Sequence, residues 1–206
     1  MTELRYLDQD PGDAPYLTRI LVTDQFMRLD DGNDDGDFVL LERKTGIVIN
    51  VLHGQQMQMR IRYKALPVAA RSAKNVQHKT QVVNAGTVRA QIFAGGEMCS
   101  ETVSARDLLP DVARALAQYK SVLAYTQWQT WLGMPPELQH VCDLVIHASH
   151  ANSALKYGLP LEERDYSGRT RQLQEHGKKP YQPPLFKLPA GYMVMQPPEV
   201  SSVKTK

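Results

Sequence analysis

The 206-residue chain has a formal net charge of +2, 42% hydrophobic and 22% charged residues, a balance typical of one globular domain with an ordinary core. No run of about 18 or more apolar residues occurs, so the sequence predicts no transmembrane segment. Residues 1–42 hold 11 acidic and 3 basic residues, and the bases elsewhere are scattered, which argues against nucleic-acid binding.

The two ends of the chain differ in composition from the middle. Residues 1–15 are polar and rich in aspartate and proline, which predicts an N-terminal lead-in loop. One domain is expected over residues 16–193, followed by a disordered tail at 194–206. The start carries no basic and apolar leader, so we expect a cytoplasmic protein, or a periplasmic one if a leader precedes this sequence.

Residues 16–63 are predicted to form an antiparallel meander around an acidic turn. The turn, DDGNDDGD at 30–37, separates apolar runs at 26–29 and 38–42. The run at 26–29 is expected to continue a strand that begins at 17–23. Asp, Asn and Gly are residues that tight turns prefer, so this stretch indicates a hairpin.

Further strands follow at a spacing of about ten residues, a pattern typical of an antiparallel meander. They combine β-branched residues with alternating apolar and polar positions. The predicted strands are 47–52, 57–62, 81–84, 88–93 and 98–103.

The hydrophobic period then changes to that of helices. Apolar residues at i+3 and i+4 spacing predict a helix over 110–131, with Ser104 and Asp107 as a capping-box-like start and Gly133 at its end. A second helix is expected over 138–154.

The C-terminal part is predicted to return to extended structure. Residues 161–173 indicate one strand or a pair of strands around a Ser-Gly turn. The proline-rich stretch that follows contains one apolar piece at 185–189, which looks docked onto the domain.

The acidic turn also has the spacing of a calcium-binding loop. Asp31, Asn33, Asp35 and Asp37 supply the hard oxygen atoms that calcium prefers, and Glu42 completes the pattern. In a strand, however, Glu42 lies too far from the turn to fold back onto the ion. We therefore expect a solvated hairpin turn, with a calcium site as the alternative and no other cofactor.

A set of methionine and aromatic residues is either ordinary core or the lining of an apolar cavity. The cavity requires the sheet to curve and the helix to close over it. The candidates are Met57, Met59, Tyr119, Leu123 and Trp128.

Four polar residues share one face of the second predicted helix, at spacings that could hold a transition metal. The favoured interpretation is a solvated helix face. The residues are His140, Asp143, His147 and His150.

The two cysteines, Cys99 and Cys142, do not form a C-x-x-C motif. They are expected to be buried thiols in a reducing compartment or one disulfide in an oxidising compartment. A Cys99 nucleophile with one of the histidines as base is the weaker alternative.

Short motifs at 27–30, 38–41, 158–161 and 185–192 resemble the LolA/LolB-like lipoprotein-carrier superfamily, in particular uncharacterised proteobacterial relatives with a domain of unknown function. The resemblance implies an α+β fold with a curved, unclosed antiparallel β-sheet, a half-barrel, and two helices packed on its concave face. Better-known members bind acyl chains or other hydrophobic cargo there. No catalytic residues carry over.

These features lead to three hypotheses of function. The first is a non-catalytic binding module for a lipid, another apolar group or a protein segment. The second is an accessory subunit of a larger complex, docking through its sheet face and proline-rich tail. The third is a metal-dependent enzyme or sensor that uses the histidine face. The pattern leaves the oligomeric state open.

Overall fold

The computed structural model describes residues 1–71 and 75–198, and twelve strands within them form one sheet. In chain order the strands are β1 Thr2–Gln9, β2 Tyr16–Val22, β3 Phe26–Asp30, β4 Phe38–Glu42, β5 Ile47–Leu52, β6 Met57–Arg62, β7 Gln77–Asn84, β8 Thr87–Ala94, β9 Glu97–Ala105, β10 Leu159–Asp165, β11 Thr170–Lys178 and β12 Met193–Met195.

The sheet is open and mostly antiparallel, as the meander pattern predicts. Its strand order is β12-β6-β5-β4-β3-β2-β1-β11-β10-β9-β8-β7, so β12 and β7 are its edges. Neighbouring strands run antiparallel except β12 and β6, which are parallel. Strands β1–β6 form one side of the sheet, with β12 at its edge, and the pairing of β1 with β11 joins them to β7–β10.

The helical segments are α1 Val68–Arg71, α2 Pro110–Gly133 and α3 Val141–Asp143, which continues into a π-helical turn at Leu144–Ser149. Short 3-10 turns lie at His53–Gln55, Pro136–Leu138, Ala154–Tyr157 and Pro183–Phe186. No helix in the described ranges is long and apolar enough to cross a membrane.

The expectation of a lead-in loop over residues 1–15 is wrong for its first part. Thr2–Gln9 is a strand that pairs with β2 on one side and β11 on the other, in the interior of the sheet. Its buried positions Leu4 and Tyr6 follow the period of two that a strand requires, and Asp8 continues it as a buried charge. That charge made the stretch look like a loop.

The expected single strand over 17–29 is also wrong, because a turn divides it into β2 and β3. The hydroxyl oxygen of Thr23 accepts hydrogen bonds from the amides of Gln25 and Phe26, at 3.2 and 2.9 Å. This local bonding reverses the chain, so that β3 pairs antiparallel with β2. The acidic turn between β3 and β4 forms the predicted hairpin.

Helix α2 begins at Pro110 and ends at Gly133, close to its predicted bounds. The expected capping box is wrong, because Ser104 belongs to β9 and the cap position is Leu109, which makes no side-chain cap bond. The first turn is held by Arg43, which donates hydrogen bonds of 2.9 and 2.6 Å to the carboxylate of Asp111. An acidic group there also suits the positive end of the helix dipole.

The second predicted helix, over 138–154, is not continuous. The chain there passes through a 3-10 turn, α3, the π-helical turn and a second 3-10 turn. A disulfide between Cys142 and Cys99 ties the start of α3 to β9, with the two Cα atoms 4.9 Å apart. This tether fixes the start of the segment against the sheet.

Helix α2 packs on one face of the sheet and forms the main core with it. The buried helix residues are Val112, Ala115, Leu116 and Val122, and the buried strand residues include Leu4, Tyr6, Ile20, Val22, Met27, Leu41, Val48 and Ile61.

The C-terminal segment covers part of the other face, so the docking expected at 185–189 is confirmed. Leu185 and Phe186 are buried against a second cluster. The sheet residues of this cluster are Leu21, Phe38, Leu40, Ile49 and Val51. Of the predicted disordered tail, Val194 and Met195 belong to β12, and residues 199–206 lie outside the described part of the chain.

Candidate functional site

A pocket of about 330 Å³ lies between α2, the π-helical turn and the strands β1 and β8–β11. It combines charged residues from the strands with apolar residues from the helix. A wider, more open groove of about 590 Å³ lies at the start of α2, where Arg106, Arg114 and Lys156 are exposed at its rim. The first pocket is the candidate site because its charged groups are fixed by one another.

The floor of the pocket is an ion pair between neighbouring strands. Asp8 of β1 lies opposite Arg171 of β11, and the guanidinium donates hydrogen bonds of 2.7 and 3.0 Å to the two carboxylate oxygens. The Asp8 side chain has no exposed surface, and Arg169 approaches the same carboxylate at 3.5 Å. Such a bidentate pair is rigid because both groups are planar.

Glu163 of β10 lies beside this pair because it is directly opposite Arg171 in the antiparallel pairing of β10 with β11. The register of β10 against β9 shifts between Pro160 and Glu162, which leaves Glu163 opposite Thr102, another residue of the pocket. Lys120 of α2 donates to the Glu163 carboxylate at 3.4 Å. Burial alone raises the pKa of Glu163, but the charges of Lys120 and Arg171 outweigh it and hold the pKa below its usual value. Glu163 is therefore ionised at neutral pH.

Another part of the pocket lining is apolar. Tyr119 and Leu123 project from α2, and Leu29 and Ile146 come from β3 and the π-helical turn. Burial raises the pKa of the Tyr119 phenol, against a smaller opposing effect of Arg171. Tyr119 therefore keeps its proton at neutral pH and can donate a hydrogen bond into the pocket.

The π-helical turn supplies the third side of the pocket with His147 and His150. Burial lowers the pKa of His147, and Asp143, at 3.9 Å, partly opposes that shift. Burial and the neighbouring His78 also lower the pKa of His150. Both rings are therefore neutral at pH 7. Single π-helical turns occur frequently at functional sites.

The structure places only part of the predicted apolar set at this pocket. Tyr119 and Leu123 line it. Met59 packs against the main core, while Met57 lies opposite Met193 of β12. The ring of Trp128 contacts Tyr125, with ring centroids 5.5 Å apart.

The oxygens of the acidic turn are used within the turn and its neighbours. The side-chain oxygen of Asp31 accepts a hydrogen bond from the backbone N–H of Asn33, and that of Asn33 accepts one from the backbone N–H of Asp35. The carboxylate of Asp37 accepts a hydrogen bond from the backbone N–H of His53. These bonds are those of a hairpin turn. The calcium site at Asp31, Asn33, Asp35 and Asp37 stays a prediction.

The histidine face predicted to bind a metal is not assembled, because the helix that would carry it is interrupted. His140 stacks on Tyr166 with 4.2 Å between ring centroids, and His150 contacts the ring of His78 at 5.1 Å. Of the four predicted residues, Asp143 and His147 come together, at 3.9 Å. Among the described residues, one group of metal-ligating atoms converges, that of Glu97, His140 and Cys142.

Sequence reasoning missed the charged residues that define the pocket, Asp8, Lys120, Glu163 and Arg171. One signal was available, because Asp8 follows Leu4 and Tyr6 at strand spacing and so takes an inward position. The others come from α2, β10 and β11, and they meet Asp8 through the pairing of β1 with β11 and the packing of α2.

No protein-family model and no curated protein matches this chain. Among solved structures it is similar to PNGF-II in a C2 crystal form, with a TM-score of 0.42 and 12% identity over 95% of this chain and 30% of that one. PNGF-II in a P21 crystal form gives a TM-score of 0.41 and 9% identity over 95% of this chain and 31% of that one. The chain thus spans about a third of those structures, and likeness at this level carries no functional assignment.

Proposed function

We propose that this protein is a non-catalytic binding module whose pocket beneath α2 holds a small amphiphilic molecule, a compound with an apolar part and an anionic end. The observation that carries the proposal is the pairing of a charged floor with an apolar wall in one pocket. The apolar part would lie against Tyr119 and Leu123, and the anionic end would lie near Lys120 and Arg171.

The charged floor supports a binding role because burying charged groups has an unfavourable desolvation free energy, which the fold alone does not require. An ion pair taken out of water usually stabilises a protein less than well-packed apolar residues of similar volume. Groups with shifted pKa values that converge in a pocket are typical of functional sites, and this pocket has Tyr119, His147 and Glu163.

The sign of the charge favours an anionic ligand. The pocket lining contains four basic residues, Lys120, Arg164, Arg169 and Arg171, against three acidic residues, Asp8, Glu163 and Asp165. The volume of about 330 Å³ lies at the small end of the range for ligand pockets, about 300–1,000 Å³. A medium-chain carboxylate suits it better than a whole diacyl lipid.

In this proposal the sheet curves as a half-barrel, with α2 and residues 141–149 on its concave side, as the LolA/LolB-like resemblance implies. The disulfide supports an oxidising compartment such as the periplasm. The alternative, an accessory subunit that docks through its sheet face and proline-rich tail, has less support. Residues 183–188 and 193–195 already pack on or pair with the chain's own sheet.

The test is displacement of the fluorescent dye anilinonaphthalene sulfonate from the oxidised protein by decanoate, decanol and decyltrimethylammonium. We expect decanoate to displace the dye best. Replacing Lys120 with methionine should weaken decanoate binding by about tenfold, equivalent to about 1.4 kcal/mol, while decanol is little affected.

The matched control is Lys187→Met, which removes an exposed base from the other face of the sheet. It should leave all three affinities unchanged. The proposal is wrong if the dye does not bind, or if the Lys120 and Lys187 variants bind decanoate equally well.

A further inference from the structure

We propose that reduction of the Cys99–Cys142 disulfide creates a binding site for a zinc-type divalent cation. Its ligands are the thiolates of Cys99 and Cys142 and the imidazole of His140, and Glu97 orients the imidazole ring. This site is separate from the pocket beneath α2 and does not depend on the proposed binding function.

The fold brings these residues together in two pairs. Glu97 and Cys99 are two residues apart on β9. His140 caps the start of α3, and Cys142 is in its first turn. One ligand atom from each of Glu97, His140 and Cys142 lies within 4.8 Å of the other two, and the disulfide adds the sulfur of Cys99 to the cluster.

Two contacts determine which ring nitrogen of His140 carries the proton. Its Nδ1 accepts a hydrogen bond of 3.2 Å from the amide of Cys142, so the lone pair of Nδ1 points towards α3. In the neutral ring the proton is then on Nε2, which lies 3.3 Å from a carboxylate oxygen of Glu97. A carboxylate that holds the second nitrogen of a metal-binding histidine is the usual outer-shell arrangement of zinc sites.

Two further contacts keep His140 in place. Its ring stacks on Tyr166 with only 6° between the ring planes. Its carbonyl oxygen accepts a hydrogen bond of 2.9 Å from the indole nitrogen of Trp131. Neither contact uses the ring nitrogens. The amide of Cys142 occupies the Nδ1 lone pair in the oxidised protein, so a metal binds Nδ1 once the ring turns away from that amide.

The chemistry requires an external dithiol reductant. The dithiol gives two electrons to the S–S bond and becomes a disulfide, and the two cysteines become thiols. Metal binding then releases the two thiol protons, leaving two sulfur atoms and one nitrogen as ligands and water in the fourth position. This ligand set suits zinc rather than magnesium or calcium. In a tetrahedral site the sulfur atoms are about 3.8 Å apart, so the two side chains must rotate away from each other.

The test is the metal content of the reduced protein. The chain is reduced with a dithiol, the reductant is removed without oxygen, one equivalent of zinc is added, and bound zinc is measured after dialysis by elemental mass spectrometry. We expect about one zinc per reduced wild-type chain and almost none per oxidised chain. Cobalt added instead should give a thiolate-to-cobalt charge-transfer absorption.

Two variants distinguish this site from non-specific binding to thiols. His140→Asn keeps both cysteines and should lower zinc affinity by at least about tenfold. His176→Asn removes an exposed histidine from β11 and should bind zinc as the wild type does. Two results would overturn the proposal. One is that the reduced wild-type protein retains no zinc, and this holds even if reduction locally unfolds the chain. The other is that His140→Asn binds zinc as tightly as His176→Asn.

Discussion

Arg171 of β11 lies directly opposite Asp8 of β1 and donates hydrogen bonds of 2.7 and 3.0 Å to both oxygens of its carboxylate. This pair spans the junction between the two halves of the sheet, because β1 belongs to the N-terminal meander and β11 to the C-terminal strands. The same ion pair therefore joins β1 to β11 within the sheet and forms the floor of the pocket.

Replacing Asp8 with alanine should destabilise the protein by about 3–5 kcal/mol, because the mostly buried guanidinium of Arg171 loses the carboxylate that it hydrogen-bonds and keeps only the neighbouring charge of Glu163. Urea denaturation followed by circular dichroism measures this change in the free energy of unfolding. Asp13→Ala, which removes an exposed acid from the next loop, is the control and should change it by less than about 0.5 kcal/mol.

The double variant Asp8→Leu, Arg171→Leu should recover much of that loss, because it removes both buried charges together. If the double variant is less stable than Asp8→Ala, the loss of stability in Asp8→Ala does not come from the Arg171 guanidinium that has lost the Asp8 carboxylate.

Asp30 should make stability depend on pH in the acidic range. Burial tends to raise its pKa, but hydrogen bonds from Arg19 and Arg28 and from the amide of Gly32 more than offset burial and lower the pKa below its usual value. A lowered pKa in the folded state stabilises the fold above the unfolded pKa, about 3.9, and this contribution disappears as the pH falls through the folded pKa.

Urea midpoints at pH 7 and at about pH 2.5 check this expectation. Asp30→Asn should be less stable than wild type at pH 7, and the gap should narrow in acid as Asp30 of the wild type becomes protonated. Asp35→Asn, at an exposed position of the same turn, is the control. A gap that is as wide at about pH 2.5 as at pH 7 would show that the charge of Asp30 is not what stabilises the turn.

Gly158 precedes β10 and should tolerate no side chain. Its φ angle is +117°, and a Cβ atom there would collide with the carbonyl oxygen of Ala105. We expect Gly158→Ala to cost about 3 kcal/mol or more, because strain and a clash with backbone add together.

Gly86→Ala separates the two effects. Gly86 has a φ of +87° and open space around it, so only the strain of the left-handed conformation applies, about 1 kcal/mol. Thermal unfolding of both variants gives the comparison. Equal losses of stability would mean that the backbone of Ala105 moves aside freely.

Phe186 should be an anchor of the C-terminal segment. It is 5% exposed, and its ring stacks on Phe26 and Tyr181 at centroid distances of 5.8 and 5.7 Å. Phe186→Ala should lower the free energy of unfolding by about 3–5 kcal/mol, because it leaves a cavity on the face of the sheet opposite α2.

Tyr181→Ala is the matched control, since Tyr181 is 52% exposed and shares the same stack. It should cost about 1 kcal/mol. Hydrogen exchange at β12 should also quicken in the Phe186 variant. A change in stability below about 1 kcal/mol would mean that the segment is only loosely attached.

Sequence patterns predicted an element correctly where one short stretch contains all the residues that determine it. The turn residues between β3 and β4 determine that hairpin, and the apolar spacing from Leu109 onward determines α2. Local patterns are misleading at β1, where they predict a loop although Asp8 is a buried strand residue. Asp8 is buried because it pairs with Arg171, which is far away in the sequence, so a short-range pattern cannot predict this ion pair.

Local patterns predicted most of the antiparallel strands, the long helix and the docked C-terminal piece, because period, turn chemistry and apolar content act over a few residues. The three-dimensional arrangement was needed to show that β1 pairs with β11, that the segment after α2 is interrupted, and that Asp8, Lys120, Glu163 and Arg171 share one pocket. These outcomes depend on strand pairing and on contacts between distant residues, and their energies arise only once the whole sheet has formed.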